Sequence, residues 1–286
     1  MRARPFYHQV GNQIGLFPFP NTPQHLDVPF LVSLIMKKPD YGNWVPQKVL
    51  LFLLFASVVS YLVTFLINVR LLISILKITS FLFLGFVIYL LYVYWLLEKD
   101  DKRIQKQFWN TLIEQLKWDG VGRALDIGTG SGPIAIFLAC KYPSSFVKGI
   151  DYWGEPWTYS KKKCERNAEI EGVSNRVSFE RASAVNLPFS DGEFDAVLSN
   201  FVFHSIRVKD RTKLIAEALR VLRDGGAFAF QDLFNDEFYS EDFLDLVKSW
   251  GLKEVNFVDS SAYIHAPIAL KLKHMTGGSG ILFGIK

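Results

Sequence analysis

The stretch Arg123–Ile136, RALDIGTGSGPIAI, decides how the rest of this chain is read. RALDI is short and largely apolar, as a buried strand is, and Pro133 can open a helix because the first helical turn has no use for its N–H. Gly128, Gly130 and Gly132 lie between the two. Strand, glycine-rich turn and helix in that order form a cradle for a ligand group at a helix N-terminus. The dinucleotide fingerprint would place its third glycine three residues after the second, where Pro133 stands; glycine falls at Gly132 instead, giving G-x-G-x-G. Asp126 just ahead of the turn suits a cationic ligand head, such as a zwitterionic amino-acid tail, better than a pyrophosphate.

Downstream, strands and helices alternate. FVKGID reads as a strand, Thr158–Glu171 as a helix stopped by Gly172, VSFE and FDAVLS as strands, and Asp210–Leu222 as a helix closed by Gly225 and Gly226. AFAFQD, a helix over Ser240–Trp250, and strands near KEVNFV and ILFGIK complete the pattern. Such alternation predicts a doubly wound, mostly parallel, seven-stranded α/β sheet over residues 121–286, with ligands bound beyond the carboxyl ends of its strands.

Upstream lie two apolar runs, 49–67 and 78–97, each about the length that crosses a hydrocarbon core. Asn68, Arg70 and Lys77 between them predict a turn at the far surface, hence a two-helix transmembrane hairpin. Lys37, Lys38, Lys48, Lys99, Lys102, Arg103 and Lys106 flank its base, which places both ends in the cytoplasm and makes the chain a multi-pass membrane protein. Residues 1–48 hold seven of the twelve prolines and lack a secretory signal's apolar core, so this leader reads as an extended segment along the membrane or over the globular domain. Between hairpin and sheet, residues 98–120 repeat Ile104, Phe108, Leu112 and Leu116 at helical spacing, an amphipathic linker ending at Gly120 that rests on the bilayer or on the domain.

The net charge of +4 and the absence of a basic tract with interleaved aromatics argue against a nucleic-acid partner. Cys140 and Cys164 have no disulfide-like spacing and pair with no histidine at metal-ligand spacing, so no metal site is predicted.

The order ALDIGTGSG, GIDYW, NLPFSDGEFDAVLSNFVFHSI and EALRVLRDGGAFAFQD resembles the class I S-adenosylmethionine-dependent methyltransferases, in the branch with an LPF segment before the fourth strand. The resemblance runs from Ala124 to the C-terminus and implies a Rossmann-like methyltransferase fold with S-adenosylmethionine as cofactor. It assigns Asp126, Gly128, Thr129, Gly130 and Gly132 to the turn at the cofactor's methionine portion. Asp151 would take the ribose hydroxyls, Tyr152 would flank the adenine, and Ser183, Ala184 and Asn200 would line the rest. Relatives carry an acid where Ser183 stands, so looser adenine recognition follows.

The acceptor belongs near the end of the fourth strand, where Asn200, Phe201, Phe203 and His204 stand, with Tyr152, Trp153 and Trp157 across the cleft. His204 offers an imidazole as a candidate proton acceptor; it reads equally as a surface histidine, and Asp232 reads as a local cap. Membrane attachment favours a small hydrophobic or lipid-linked acceptor. A soluble metabolite is the alternative, as is a membrane-bound module that binds the cofactor without catalysis.

Overall fold

In the computed structural model, residues 38–156, 158–234, 242–260, 263–272 and 276–286 are described. Two helices come first, α1 (Gln47–Val63) and α2 (Arg70–Gln115). They pack as an antiparallel hairpin whose contact is made by small hydroxyl residues: Ser57 Oγ donates to Ser80 O (3.0 Å), Ser80 Oγ to Ser57 O (2.8 Å) and Ser60 Oγ to Leu76 O (3.1 Å). Thr64 Oγ1 folds back on Tyr61 O (2.6 Å) as α1 ends.

This hairpin corrects the expected boundaries. The chain turns at residues 64–69, not over 68–77, because Arg70 and Lys77 stay inside α2; polar side chains do not stop a helix whose backbone bonds remain intact. Within that segment Ser74 Oγ donates to Arg70 O. Nor is the linker over 98–120 assigned as a separate helix: α2 extends to Gln115 with one left-handed residue, Lys102 (φ 59°), inside it, and Leu116 turns extended before Gly120 is reached. Among the described residues, Arg70–Lys99 alone is long and apolar enough to cross a membrane. The 17 residues of α1 rise about 26 Å, short of a core of about 30 Å. The expected pair of spanning helices is thus reduced to one.

The remaining elements are β1 (Gly122–Ile127), α3 (Pro133–Lys141), β2 (Ser145–Asp151), α4 (Lys161–Ile170), β3 (Val177–Arg181), β4 (Phe194–Asn200), α5 (Thr212–Arg220), β5 (Leu222–Leu233), α6 (Phe243–Lys248), β6 (Glu254–Asp259) and β7 (Ser279–Ile285). The seven strands lie in the order β3-β2-β1-β4-β5-β7-β6, parallel except for β7, which runs antiparallel to both neighbours. Helix bounds are tighter than expected over 158–171 and 210–222; Ser240 lies outside the described residues, as do Trp157 and all of the leader before Lys38.

One sheet face packs Ala196, Leu198 and Ala229 under α3 and the last turns of α2, which contribute Trp109, Leu112 and Ile113. The other packs Phe228 and Phe230 against Leu214, Ile215 and Leu219 of α5. Phe108, Trp109 and Leu112 are at most 1% exposed. At about 1.5–3 kcal/mol for each large apolar side chain buried, they weld the apolar helix to the sheet. The amphipathic stretch therefore lies on the globular domain.

Candidate cofactor and acceptor site

Parallel strands end together, so the register sets Ile127 beside Ile150 and Ser199, and Asn200 beside Gln231. The carboxyl edge of the sheet thereby gathers the glycine turn, Asp151, Asn200 and Asp232. Gly128 (φ 73°), Gly130 (φ 59°) and Gly132 (φ 91°) all take left-handed conformations, which glycine alone adopts without penalty. At Gly128 a Cβ would also stand 2.2 Å from Val202.

Asp126 is 1% exposed, and its Oδ2 accepts from Thr129 Oγ1 (2.6 Å) and Ala135 N (3.2 Å). The carboxylate fastens the turn to the start of α3. This corrects the expectation that it offers its charge to a cationic ligand head. Burial pushes its pKa up to about 7, against those two hydrogen bonds and with the charge of Asp151 adding to the rise. Because the folded value lies above the unfolded one, this group's stabilising contribution is full below pH 4. It is lost as pH rises from about 4 to about 7, at about 1.4 kcal/mol per pH unit. Asp126→Asn keeps an acceptor for Thr129 and Ala135, so the stability difference from wild type, measured by denaturant unfolding, is expected to grow by a few kcal/mol across that range. A difference independent of pH would refute the assignment.

Asp151 ends β2 and accepts from Gly130 N on Oδ2 (2.8 Å) and from Trp153 N on Oδ1 (2.7 Å). A carboxylate has about four lone-pair sites, so each oxygen can take a further donor. Trp153 (φ 49°) does not line the cleft as an acceptor wall; its Nε1 donates to Gly130 O (2.8 Å) and clamps the turn. Cys164 Sγ donates to the same carbonyl (3.2 Å), and burial holds its thiol pKa well above the usual range, so it stays protonated. Tyr152 is 64% exposed with the Arg181 guanidinium 4.7 Å from its ring centroid, an open aromatic face beside Asp151. Ser183 is exposed in the loop after β3, its Oγ accepting from Val185 N (3.2 Å), with half-buried Ala184 following.

The segment from Asp40 to Trp44 crosses over this turn. Ser131 Oγ donates to Tyr41 O (2.5 Å), Asn167 Nδ2 bridges Asp40 O and Ser131 O (2.9 Å each), and Lys163 pairs with Asp40 (2.8 Å). The Tyr159 ring sits between Gly42 and Gly130 and its hydroxyl donates to Asn43 O (3.1 Å). Gly42, at φ 70°, admits that ring where a Cβ would lie 2.6 Å from it. Tyr159 was not marked by the sequence, although the lone glycine in PDYGNW was a signal of a close approach.

At the other side of the edge, Phe203–Ser205 forms a 3-10 turn after β4. His204 Nδ1 stands 2.6 Å from Asp232 Oδ1. Asp232 is 1% exposed and also accepts from Phe203 N (2.7 Å), His204 N (3.2 Å) and Leu233 N (2.7 Å). It is a cap, as expected, and in addition the partner of His204, which sequence reasoning missed. With Nδ1 donating to the carboxylate, Nε2 is the basic nitrogen. Phe201 (φ 54°) stacks edge-on between Phe108, Trp44 and His204, at ring distances of 5.2, 5.3 and 6.4 Å.

S-adenosylmethionine fits this edge. Asn200 Oδ1 is buried without a partner, and so are both side-chain polar atoms of Gln231 beside it and of Gln105 on α2. Buried polar atoms without partners cost about 1–3 kcal/mol each, a cost that a polar ligand would relieve. Residues 125–230 match the family described as "Methyltransferase domain".

By that match, residues 125–230 are similar to methyltransferase domains.

The methyltransferase domain is 32% identical over 115 residues to a ubiquinone/menaquinone biosynthesis C-methyltransferase of Geotalea daltonii, covering 40% of this chain and 46% of the relative. It is 35% identical over 140 residues to a malonyl-[acyl-carrier protein] O-methyltransferase of Geobacter sulfurreducens, covering 48% of this chain and 49% of that one. The chain spans about half the length of these curated relatives. Its fold is that of the [4+2]-cyclase SpnF, with TM-score 0.50 and 20% identity over 65% of this chain and 82% of the cyclase. One fold thus hosts unlike reactions, and the function has to be argued from the site.

Proposed function

We propose that the chain is a membrane-anchored methyltransferase acting on a small hydrophobic or lipid-linked acceptor. One observation carries this reading: α2 continues from its apolar stretch, Arg70–Lys99, to set Phe108 against Phe201 beside His204. A helix long enough to cross a bilayer thus roofs the site. Leu51, Phe52, Phe55, Phe81 and Leu82 are each about two-thirds exposed. Apolar surface of this extent calls for lipid. Serine-to-backbone bonds inside the hairpin suit helices packed in a bilayer. The basic residues at its base set the methyltransferase domain on the cytoplasmic side. Anchoring confers an advantage only if the acceptor is also at the membrane. The relative named for quinone biosynthesis supports an acceptor of that kind.

When bound, S-adenosylmethionine supplies a methyl group activated by its sulfonium. The chain does the rest by positioning. The glycine turn offers backbone close to the methionine portion, Asp151 takes ribose hydroxyls, Tyr152 faces the adenine, and Asn200 Oδ1 accepts from the cofactor's amino group. Ser183, bound locally, adds little hold on the adenine. His204 Nε2 takes the acceptor's proton while Asp232 keeps the imidazole in the needed tautomer. Trp44, Phe108 and Phe201 keep water from the reacting pair.

Reconstituted full-length protein with methyl-labelled cofactor and a membrane lipid extract is expected to place label in the organic-soluble fraction. Label passing only to water-soluble metabolites of a cytosolic extract would overturn the hydrophobic acceptor. Cofactor binding without any transfer would leave a binding module in place of an enzyme.

A further inference from the structure

Outside the methyltransferase site, α2 and the segment from Ile264 to Leu272 enclose a second cavity of about 440 Å³. Lys99, Arg103, Lys271 and His265 surround it, over a floor that includes Leu96 and Ile104. Lys99 and Arg103 both come from α2 and border the same space. Among the described residues no acid lines the cavity, and neither Arg103 nor Lys271 has an acidic partner. Lys99 Nζ also lies over the Trp95 ring, 4.9 Å from its centroid; cationic side chains bordering one space repel one another, and an anion there lowers that repulsion.

A second observation says where such an anion comes from. The 3-10 turn Ile268–Leu270 leaves Ile268 83% exposed, and Leu272 beyond it 49% exposed, on either side of Lys271. The segment is tied to α2 at two heights. His265 N donates to Gln107 Oε1 (3.0 Å), and the Tyr89 hydroxyl donates to Ala269 O (2.8 Å). Tyr89 lies inside the apolar stretch, about 12 Å along the helix before Leu97, and Gln107 lies about 15 Å beyond it. The segment therefore runs alongside the end of the apolar stretch.

We infer that this cavity binds the phosphate of an anionic phospholipid, with Ile268 and Leu272 resting against its acyl chains. The inference rests on the membrane reading of α2. Arg103 offers a planar fork for two phosphate oxygens, and Lys99 and Lys271 close the site as point charges. A free phosphate would satisfy the same cations and would gain nothing from Ile268 and Leu272.

The test uses full-length protein in nanodiscs of phosphatidylcholine mixed with phosphatidylglycerol, released into a mass spectrometer so that retained lipids are counted. Wild type is expected to keep one phosphatidylglycerol in preference to phosphatidylcholine. The triple variant Lys99→Gln, Arg103→Gln, Lys271→Gln is expected to lose that preference by about tenfold or more, while still binding S-adenosylmethionine. Ile268→Ser alone is expected to weaken retention and leave the cations in place. Equal retention by wild type and the triple variant overturns the site, and so does displacement of the lipid by millimolar inorganic phosphate. Flotation with neutral vesicles separates the two readings. A chain that floats but shows no lipid preference refutes this inference alone, whereas one that does not float refutes the membrane reading and the inference with it.

Discussion

His204→Asn is expected to lower kcat about 10²- to 10⁴-fold and to leave the Kd for S-adenosylmethionine unchanged. The imidazole stands at the end of β4, its Nδ1 2.6 Å from a carboxylate that is itself 1% exposed. A buried carboxylate that also takes three backbone N–H groups cannot swing away, so it fixes both the ring and its tautomer. Asp232→Asn separates positioning from capping. It keeps an oxygen for the backbone donors and removes the charge that favours Nε2 as base, so kcat should fall with the fold intact. A variant with wild-type kcat would show that the acceptor needs no base, and the His204 assignment would be withdrawn.

Asp151→Ala is expected to weaken S-adenosylmethionine binding about 10- to 100-fold, the scale of one charged hydrogen bond lost. Two effects combine. The ribose loses its acceptor, and Gly130 N and Trp153 N lose theirs, which loosens the turn that Asp151 holds to β2. Asp151→Asn keeps one acceptor oxygen and should fall between. Calorimetric titration of both variants, with thermal melts to confirm folding, reads the effect. Unchanged affinity in a folded Asp151→Ala protein would remove the ribose assignment.

The sheet and its cofactor turn were legible in the sequence because their constraints are local. Left-handed turns demand glycine at 128, 130 and 132, strand patterns mark β1 to β5, and Asp151 marks the end of the next strand, β2. The hairpin was read less well. Asn68, Arg70 and Lys77 suggested a turn over 68–77, whereas a helix tolerates polar side chains wherever its backbone bonds are kept. Asp126 misled for another reason: its charge was legible, but its burial was not.

The amino-acid sequence alone determined the class of sheet, the glycine-rich turn after its first strand and the presence of an apolar stretch ahead of it. Each of these follows from short-range rules of backbone conformation, side-chain spacing and solvation. Only the tertiary structure decided that α2 is one helix joining that stretch to the sheet, that Asp232 serves His204 across 28 residues of chain, and that Tyr41 and Tyr159 close over the glycine turn. Those are contacts between distant segments, set by packing two elements at once, and no local pattern records them.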